Sequence, residues 1–120
     1  MRILTSAILA ALALGSASVA RAGTDIVSGV IGVAANGSVT CSVVNAGPVP
    51  MDMEVNIQVP NVGPVGPPAI CTAVGIDERC AIGYATQFGA NVYCRATVGS
   101  RKRVRGTLFD TDSGATVELH

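Results

Sequence analysis

The stretch from Val92 to Val98 has the sequence VYCRATV, in which apolar and polar residues alternate. One side of an extended chain then carries Val92, Cys94, Ala96 and Val98, and the other side carries Tyr93, Arg95 and Thr97. A period of two is the pattern of a β-strand with one buried face. The same stretch places a cysteine on the buried side, so it predicts both a strand and a disulfide inside the core.

Further stretches of the chain repeat this alternation. The clear ones are Val39–Val43, Met53–Val59, Val104–Leu108 and Ala115–Leu119, and the weaker ones are Ile26–Val33 and Cys80–Thr86. Turn-forming pairs such as Asn36-Gly37 separate them, and no segment has a helical hydrophobic period with caps. Six or seven short antiparallel strands at spacings of about ten residues are typical of a sandwich. The sequence therefore predicts a small all-β sandwich.

The first 22 residues have a different composition from the rest. Arg2 precedes an apolar run, Ile3–Leu14, and a tail of small residues ends in Ala20-Arg21-Ala22. This order is typical of a cleaved secretory signal peptide. An uncleaved anchor is the alternative, but a spanning helix needs about 20 apolar residues. We expect residues 1–22 to be a signal peptide and residues 23–120 to be a single exported domain, periplasmic or secreted, without a membrane span.

Four cysteines, Cys41, Cys71, Cys80 and Cys94, support the exported assignment. An even number in a short exported chain indicates two disulfides, and four cysteines allow three pairings. The pattern favours Cys41–Cys94, because each lies on the apolar side of a strand-like segment. It favours Cys71–Cys80, because these two flank a turn-rich stretch. Zinc sites usually contain a closely spaced cysteine pair, which this chain lacks, so we expect no metal and no cofactor.

Composition and charge argue against two function classes. The only histidine is His120, and oxidised cysteines are not nucleophiles, so the chain is predicted not to be an enzyme. Residues 23–120 carry six basic and eight acidic side chains, a net charge of −2, and aromatic residues are 3% of the sequence. Binding of nucleic acid is therefore not expected.

A basic cluster is the strongest candidate for a contact surface. Arg103 and Arg105 are predicted to share one face of a strand, with Arg95 nearby on a neighbouring strand. Such a patch suits a protein partner or an anionic glycan. The alternatives are a solvated outer face or an edge strand protected against pairing. The apolar, proline-rich loop Pro60–Pro68 is a second candidate for contact.

The segment Val43-Val44-Asn45-Ala46-Gly47, followed by the alternating strand Met53–Val59, resembles bacterial immunoglobulin-like surface and adhesion modules. The resemblance implies an immunoglobulin-like sandwich, with adhesion or carbohydrate contact as its role, and it suits an inter-sheet bridge between Cys41 and Cys94. It assigns no site residue. The chain departs from antibody-type domains, because it has no tryptophan and Val92 stands where the conserved tyrosine would be.

Together these patterns predict a small exported, non-catalytic β-sandwich that serves as a binding or structural module. A subunit of a surface polymer, joined by strand pairing, is one alternative. A small secreted inhibitor that uses the proline-rich loop is another. The sequence specifies neither the ligand nor the oligomeric state.

Overall fold

The computed structural model describes residues 23–120, so the predicted signal peptide lies outside the described residues. The chain forms ten strands: β1 Thr24–Val27, β2 Ile31–Val33, β3 Gly37–Asn45, β4 Met51–Val59, β5 Gly63–Pro64, β6 Ala69–Val74, β7 Arg79–Thr86, β8 Ala90–Val98, β9 Val104–Asp110 and β10 Thr116–Glu118. A short 3-10 turn, Arg101–Arg103, lies between β8 and β9. Over this range no helix is long and apolar enough to cross a membrane.

The strands build two antiparallel sheets. In the six-stranded sheet, β1 and β2 pair with one side of β8, β4 pairs with the other side, and β5 and β6 follow on β4. The four-stranded sheet has the order β10-β9-β3-β7. The prediction of an all-β, sandwich-like fold is confirmed.

The core lies between the sheets, and valine is its commonest residue. The predicted inward positions of β3 and β8 are buried, as are Met53, Val55 and Ile57 in β4, Ile26 in β1 and Leu108 in β9. At the end of β4 the alternation fails, because Val59 is half-buried and Gln58 is buried. Each fully buried aliphatic side chain contributes about 1.5–3 kcal/mol. Alternation along the strands therefore decided which side of each strand faces the core.

Both predicted disulfides are present, and each joins the two sheets. Cys41 of β3 is bonded to Cys94 of β8, with the Cα atoms 6.2 Å apart. Cys71 of β6 is bonded to Cys80 of β7, with the Cα atoms 5.9 Å apart. In the chain-entropy model, loops of these lengths contribute about 4 and 3 kcal/mol.

The strand count differs from the predicted six or seven. Ile26–Val33 forms two strands, β1 and β2, because the chain breaks at Ser28 while both halves pair with β8. The Ser28 hydroxyl accepts a hydrogen bond from the Cys94 backbone amide at 2.9 Å, which fills the gap in the ladder. Very short strands such as β5 raise the strand count further. β5 has only two residues, so its sequence contains no alternation from which a strand could be predicted.

The placement of β9 was not predicted. β9 follows β8 in sequence, yet it pairs with β3 in the opposite sheet. The segment Gly99–Arg103 carries the chain across the end of the sandwich. In antibody-type domains the strand with the second bridge cysteine, which corresponds to β8, shares a sheet with the strand that follows it.

Candidate functional site

The structure separates the three arginines that the sequence grouped together. Arg105 projects from the outer face of β9, and Arg103 ends the 3-10 turn that precedes it. Arg95 lies on the outer face of β8, in the other sheet. The expectation that Arg95 lies on a strand neighbouring β9 is therefore wrong, because the chain changes sheets between them.

Arg95 forms a salt bridge with Asp25. Its Nε and Nη2 atoms both donate to Asp25 Oδ2, and the Thr97 hydroxyl donates to Asp25 Oδ1 at 2.7 Å. The hydrogen bond from Arg95, followed by that from Thr97, lowers the pKa of Asp25 below its usual value. The same contact raises the pKa of Arg95. Arg95 thus belongs to a polar network on the six-stranded sheet.

The structure adds Arg79, which the sequence analysis did not single out. Val44 of β3 is paired with Arg79 of β7 on one side and with Arg105 of β9 on the other. Both arginines project from the outer face, roughly 10 Å apart, which is two strand spacings. Only the order of strands in the sheet reveals this relation.

The 3-10 turn brings further cations to the same end of the sheet. Arg101, Lys102 and Arg103 are all exposed. With Arg79 and Arg105 they form a group of five side chains that we name the cationic surface.

Arg103 is held in place by the loop between β3 and β4. The Ala46 backbone amide donates to the Arg103 carbonyl oxygen at 2.6 Å. The aliphatic part of Arg103 lies against Gly47, where a Cβ atom would be only 2.6 Å from Arg103 Cδ. Glycine at this position therefore provides the space that the arginine stem occupies.

Asn45 fixes the loops that surround the cationic surface. This residue is fully buried, and its side-chain Nδ2 donates to the carbonyl oxygens of Val49, at 2.9 Å, and Val74, at 2.8 Å. Its Oδ1 accepts from the Gly47 amide at 2.9 Å, and its backbone bonds to Asp77 and Glu78. Every polar group of Asn45 is thus satisfied, and one side chain ties two loops to the end of β3.

An open groove of about 600 Å³ runs beside the cationic surface. It has both charged and apolar walls, formed by Ile26, Val44, Arg101, Val104, Arg105, Gly106, Thr107, Glu118, Leu119 and His120. Leu119 packs over Gly106, where a Cβ atom would lie 3.2 Å from it. The groove therefore presents the guanidinium groups of Arg101 and Arg105 beside aliphatic side chains, and the Glu118 carboxylate lines it as well.

The five cations have no carboxylate partner within residues 23–120, where the single ion pair joins Arg95 and Asp25. The nearby Glu78 carboxylate instead accepts from the Gly75 amide at 2.8 Å. β10 pairs only with Thr107–Phe109 of β9, so Arg105 lies beyond the segment that β10 covers. The cationic surface is consequently available to an external anion.

The Pro60–Pro68 loop is fastened along β4. Gly63 and Pro64 pair with the end of β4, and the Val65 amide donates to the Ile57 carbonyl at 3.0 Å. Val62 at the tip is 79% exposed. The loop thus presents a small apolar tip on an otherwise anchored segment.

The acidic turn Asp110–Gly114 closes the hairpin between β9 and β10. Asp110 is buried, and its Oδ1 accepts from the amides of Asp112, at 2.9 Å, and Ser113, at 3.3 Å. These bonds, with that from Asp112 the larger cause, lower the pKa of Asp110. In the described part of the chain no group of three histidine, cysteine or acidic residues is arranged to hold a metal ion.

The cationic surface combines four guanidinium groups and one ammonium group, which donate charge-assisted hydrogen bonds to carboxylate, sulfate or phosphate oxygens. Its geometry is suited to binding an anion. No protein-family model, no curated protein and no solved structure matches this chain.

Proposed function

We propose that this protein is an exported, non-catalytic binding module that holds an acidic glycan on its cationic surface. One observation carries the proposal: five exposed cations lie at one end of the four-stranded sheet, two of them line an open groove, and none is paired with a carboxylate of residues 23–120. Guanidinium groups are more weakly hydrated than ammonium groups, and they donate paired hydrogen bonds to planar anions. Export is supported by the two disulfides, which persist in oxidising compartments.

The spacing of the cations favours a glycan with repeated charges over a compact anion. The cationic side chains extend along the end of the sheet, with Arg79 and Arg105 on strands roughly 10 Å apart across β3, so one compact anion cannot engage all five. A sugar chain with an acidic group on successive residues spans that distance. Contacts of this kind are exposed to solvent, so binding weakens as salt is added.

We also propose that the fold is related to immunoglobulin-like surface and adhesion modules. Support comes from the two packed antiparallel sheets and from the buried bridge between β3 and β8. The pairing of β9 with β3 differs from the antibody-type order. The proposal about the glycan does not depend on this relationship.

Fluorescently labelled dextran sulfate, with neutral dextran of the same length as its control, tests the proposal. We expect the protein to bind the sulfated polymer only, and the double variant Arg103→Glu/Arg105→Glu to lose at least about tenfold in affinity. Raising the salt concentration should weaken the wild-type complex.

Two single variants with the same change in net charge provide the matched control. Arg105→Gln should weaken binding, whereas Arg95→Gln, on the other sheet, should leave it unchanged. Equal loss in both would show a general effect of charge and would refute the assignment to this surface. Binding of an acidic peptide in preference to dextran sulfate would replace the glycan by a protein partner.

A further inference from the structure

β7 is a long edge strand that lacks the usual protection against pairing. It bonds to β3 on one side, and no backbone hydrogen bond within residues 23–120 joins its other side to a further element. It is eight residues long, without proline, and the chain carries no charge between Arg79 and Arg95. Natural edges are generally kept short, charged, bulged or covered.

The other edges show these protective features. β2 has three residues, and β5 has two, one of them proline. The pairing of β6 with β4 is irregular, and Ala73 within β6 has a φ of 51°. At the edge of β10, Val27 and His120 exchange two backbone hydrogen bonds that link the sheets. β7 therefore differs from every other edge of the described fold.

The alternating hydrogen bonds between β3 and β7 show which backbone groups of β7 remain unpaired. The Asn45 amide donates to the Glu78 carbonyl just before β7 begins, so the even-numbered residues of β7 bond to β3. The amides and carbonyls of Ala81, Gly83 and Ala85 then point toward the free edge. All three residues are exposed; Ala81 and Ala85 have small uncharged side chains, and Gly83 has none.

These three residues are symmetric about Gly83, and we propose that β7 pairs antiparallel with β7 of a second copy of the protein. A two-fold axis at Gly83 places Gly83 opposite Gly83 and Ala81 opposite Ala85. The two four-stranded sheets then become one continuous sheet of eight strands. The same surface is used on both copies, so the assembly closes as a dimer and does not extend into a fibre.

Residues at the ends of β7 also favour a second copy as the partner. Phe88, after β7, is 90% exposed, and Ile76, before β7, is 55% exposed. Antiparallel pairing brings Phe88 of one copy to the end where Ile76 of the other copy lies, so both apolar side chains lose contact with water. The register places Arg79 opposite Gln87 and keeps the two arginines apart.

Sedimentation equilibrium over a range of protein concentrations tests the dimer, with Gly83→Lys as the decisive variant. A Cβ atom at Gly83 would have its nearest neighbour at 3.6 Å, so the folded monomer accommodates a side chain there. The dimer, however, would hold two lysines directly opposite each other. We expect its dissociation constant to rise by about tenfold or more. Gly66→Lys, at an open loop position, is the matched control and should dimerise like the wild type.

A second variant tests the register. The four native cysteines are all in disulfides, so Gly83→Cys introduces a single free thiol. Hydrogen-bonded antiparallel partners have Cα atoms about 5.5 Å apart, within disulfide range, so mild oxidation should link two copies. Gly66→Cys should stay unlinked. A protein that is monomeric at millimolar concentration, or a dimer equally stable in Gly83→Lys and Gly66→Lys, would overturn the proposal.

Discussion

The side-chain amide of Asn45 donates to the carbonyl oxygen of Val74, 2.8 Å away, although 29 positions separate the two residues in the chain. The bond joins the end of β3 in one sheet to the end of β6 in the other. The loop that contacts Arg103 begins at the next residue, so this buried amide supports both the fold and the candidate site.

Replacement of Asn45 by alanine should lower the free energy of unfolding by about 3 kcal/mol, because buried carbonyl and amide groups lose their partners. Asn45→Asp should be destabilised as well, since a carboxylate cannot donate to Val49 and Val74. Urea denaturation measures both. Asn91→Ala, at an exposed position, is the control and should change stability by less than about 0.5 kcal/mol. Equal stability of Asn45→Ala and Asn91→Ala would contradict the role of Asn45.

The two disulfides should be reduced in a fixed order. Cys41 and Cys94 are 0% exposed, whereas Cys71 is partly exposed, so a thiolate reaches the second bridge more readily. Limited treatment with dithiothreitol, followed by alkylation and peptide mass spectrometry, should label residues 71 and 80 first. Earlier labelling of residues 41 and 94 would show that the core opens before the edge.

The contact between Asp25 and Arg95 should make stability depend on pH. The pKa of Asp25 is lowered in the folded protein, so its contribution is present above the unfolded value of about 3.9 and is lost as the pH falls through the folded value. Because both side chains are nearly half exposed, Asp25→Asn should cost no more than about 1 kcal/mol at pH 7.

Thermal unfolding between pH 2 and pH 7 measures this effect. The difference between wild type and Asp25→Asn should vanish at the acidic end. In an Arg95→Gln background, Asp25→Asn should cost less than it does in the wild type. An unchanged cost there would mean that Thr97 alone accounts for the contribution of Asp25.

Gly47→Ala should disturb the cationic surface without removing a charge. The added methyl group would overlap the stem of Arg103, so the guanidinium group must move. We expect affinity for dextran sulfate to fall by about threefold, or roughly 0.6 kcal/mol. Gly29→Ala, where no atom lies within 4 Å of the new Cβ, should bind like the wild type. Unchanged affinity in Gly47→Ala would show that the position of Arg103 is not used.

Local patterns in the sequence predicted the strands and the cysteine pairing. Alternation is a property of neighbouring residues, so the burial of Val39, Cys41 and Val43 is visible before any partner is known. Cys41 and Cys94 share that buried side, which is why their pairing was predicted correctly. The break between β1 and β2 at Ser28 was not predicted. It depends on a hydrogen bond between Ser28 and Cys94, which is far away in the sequence.

The candidate site was predicted only in part, because it depends on which strands are neighbours. Arg103 and Arg105 were expected on one face of a strand, but only Arg105 lies in β9, and Arg103 ends the preceding 3-10 turn. Arg95 was added on the expectation that consecutive strands pair, whereas β8 and β9 lie in opposite sheets. Arg79 was missed because its relation to Arg105 passes through Val44 of a third strand. The order of strands in a sheet depends on packing between distant segments, and a local sequence pattern carries no information about it.

The position of the Cys41–Cys94 bridge also has a mechanical consequence. Tension applied at residues 23 and 120 reaches this covalent bond, so the segment between Cys41 and Cys94, a sequence separation of 53, bears no load. Stretching then lengthens only the outer segments, and cutting the bond would release about 180 Å of additional chain. A molecule anchored to a surface and pulled by flow would accordingly keep the segment that contains β4 to β7 unstretched for as long as the bridge stays closed.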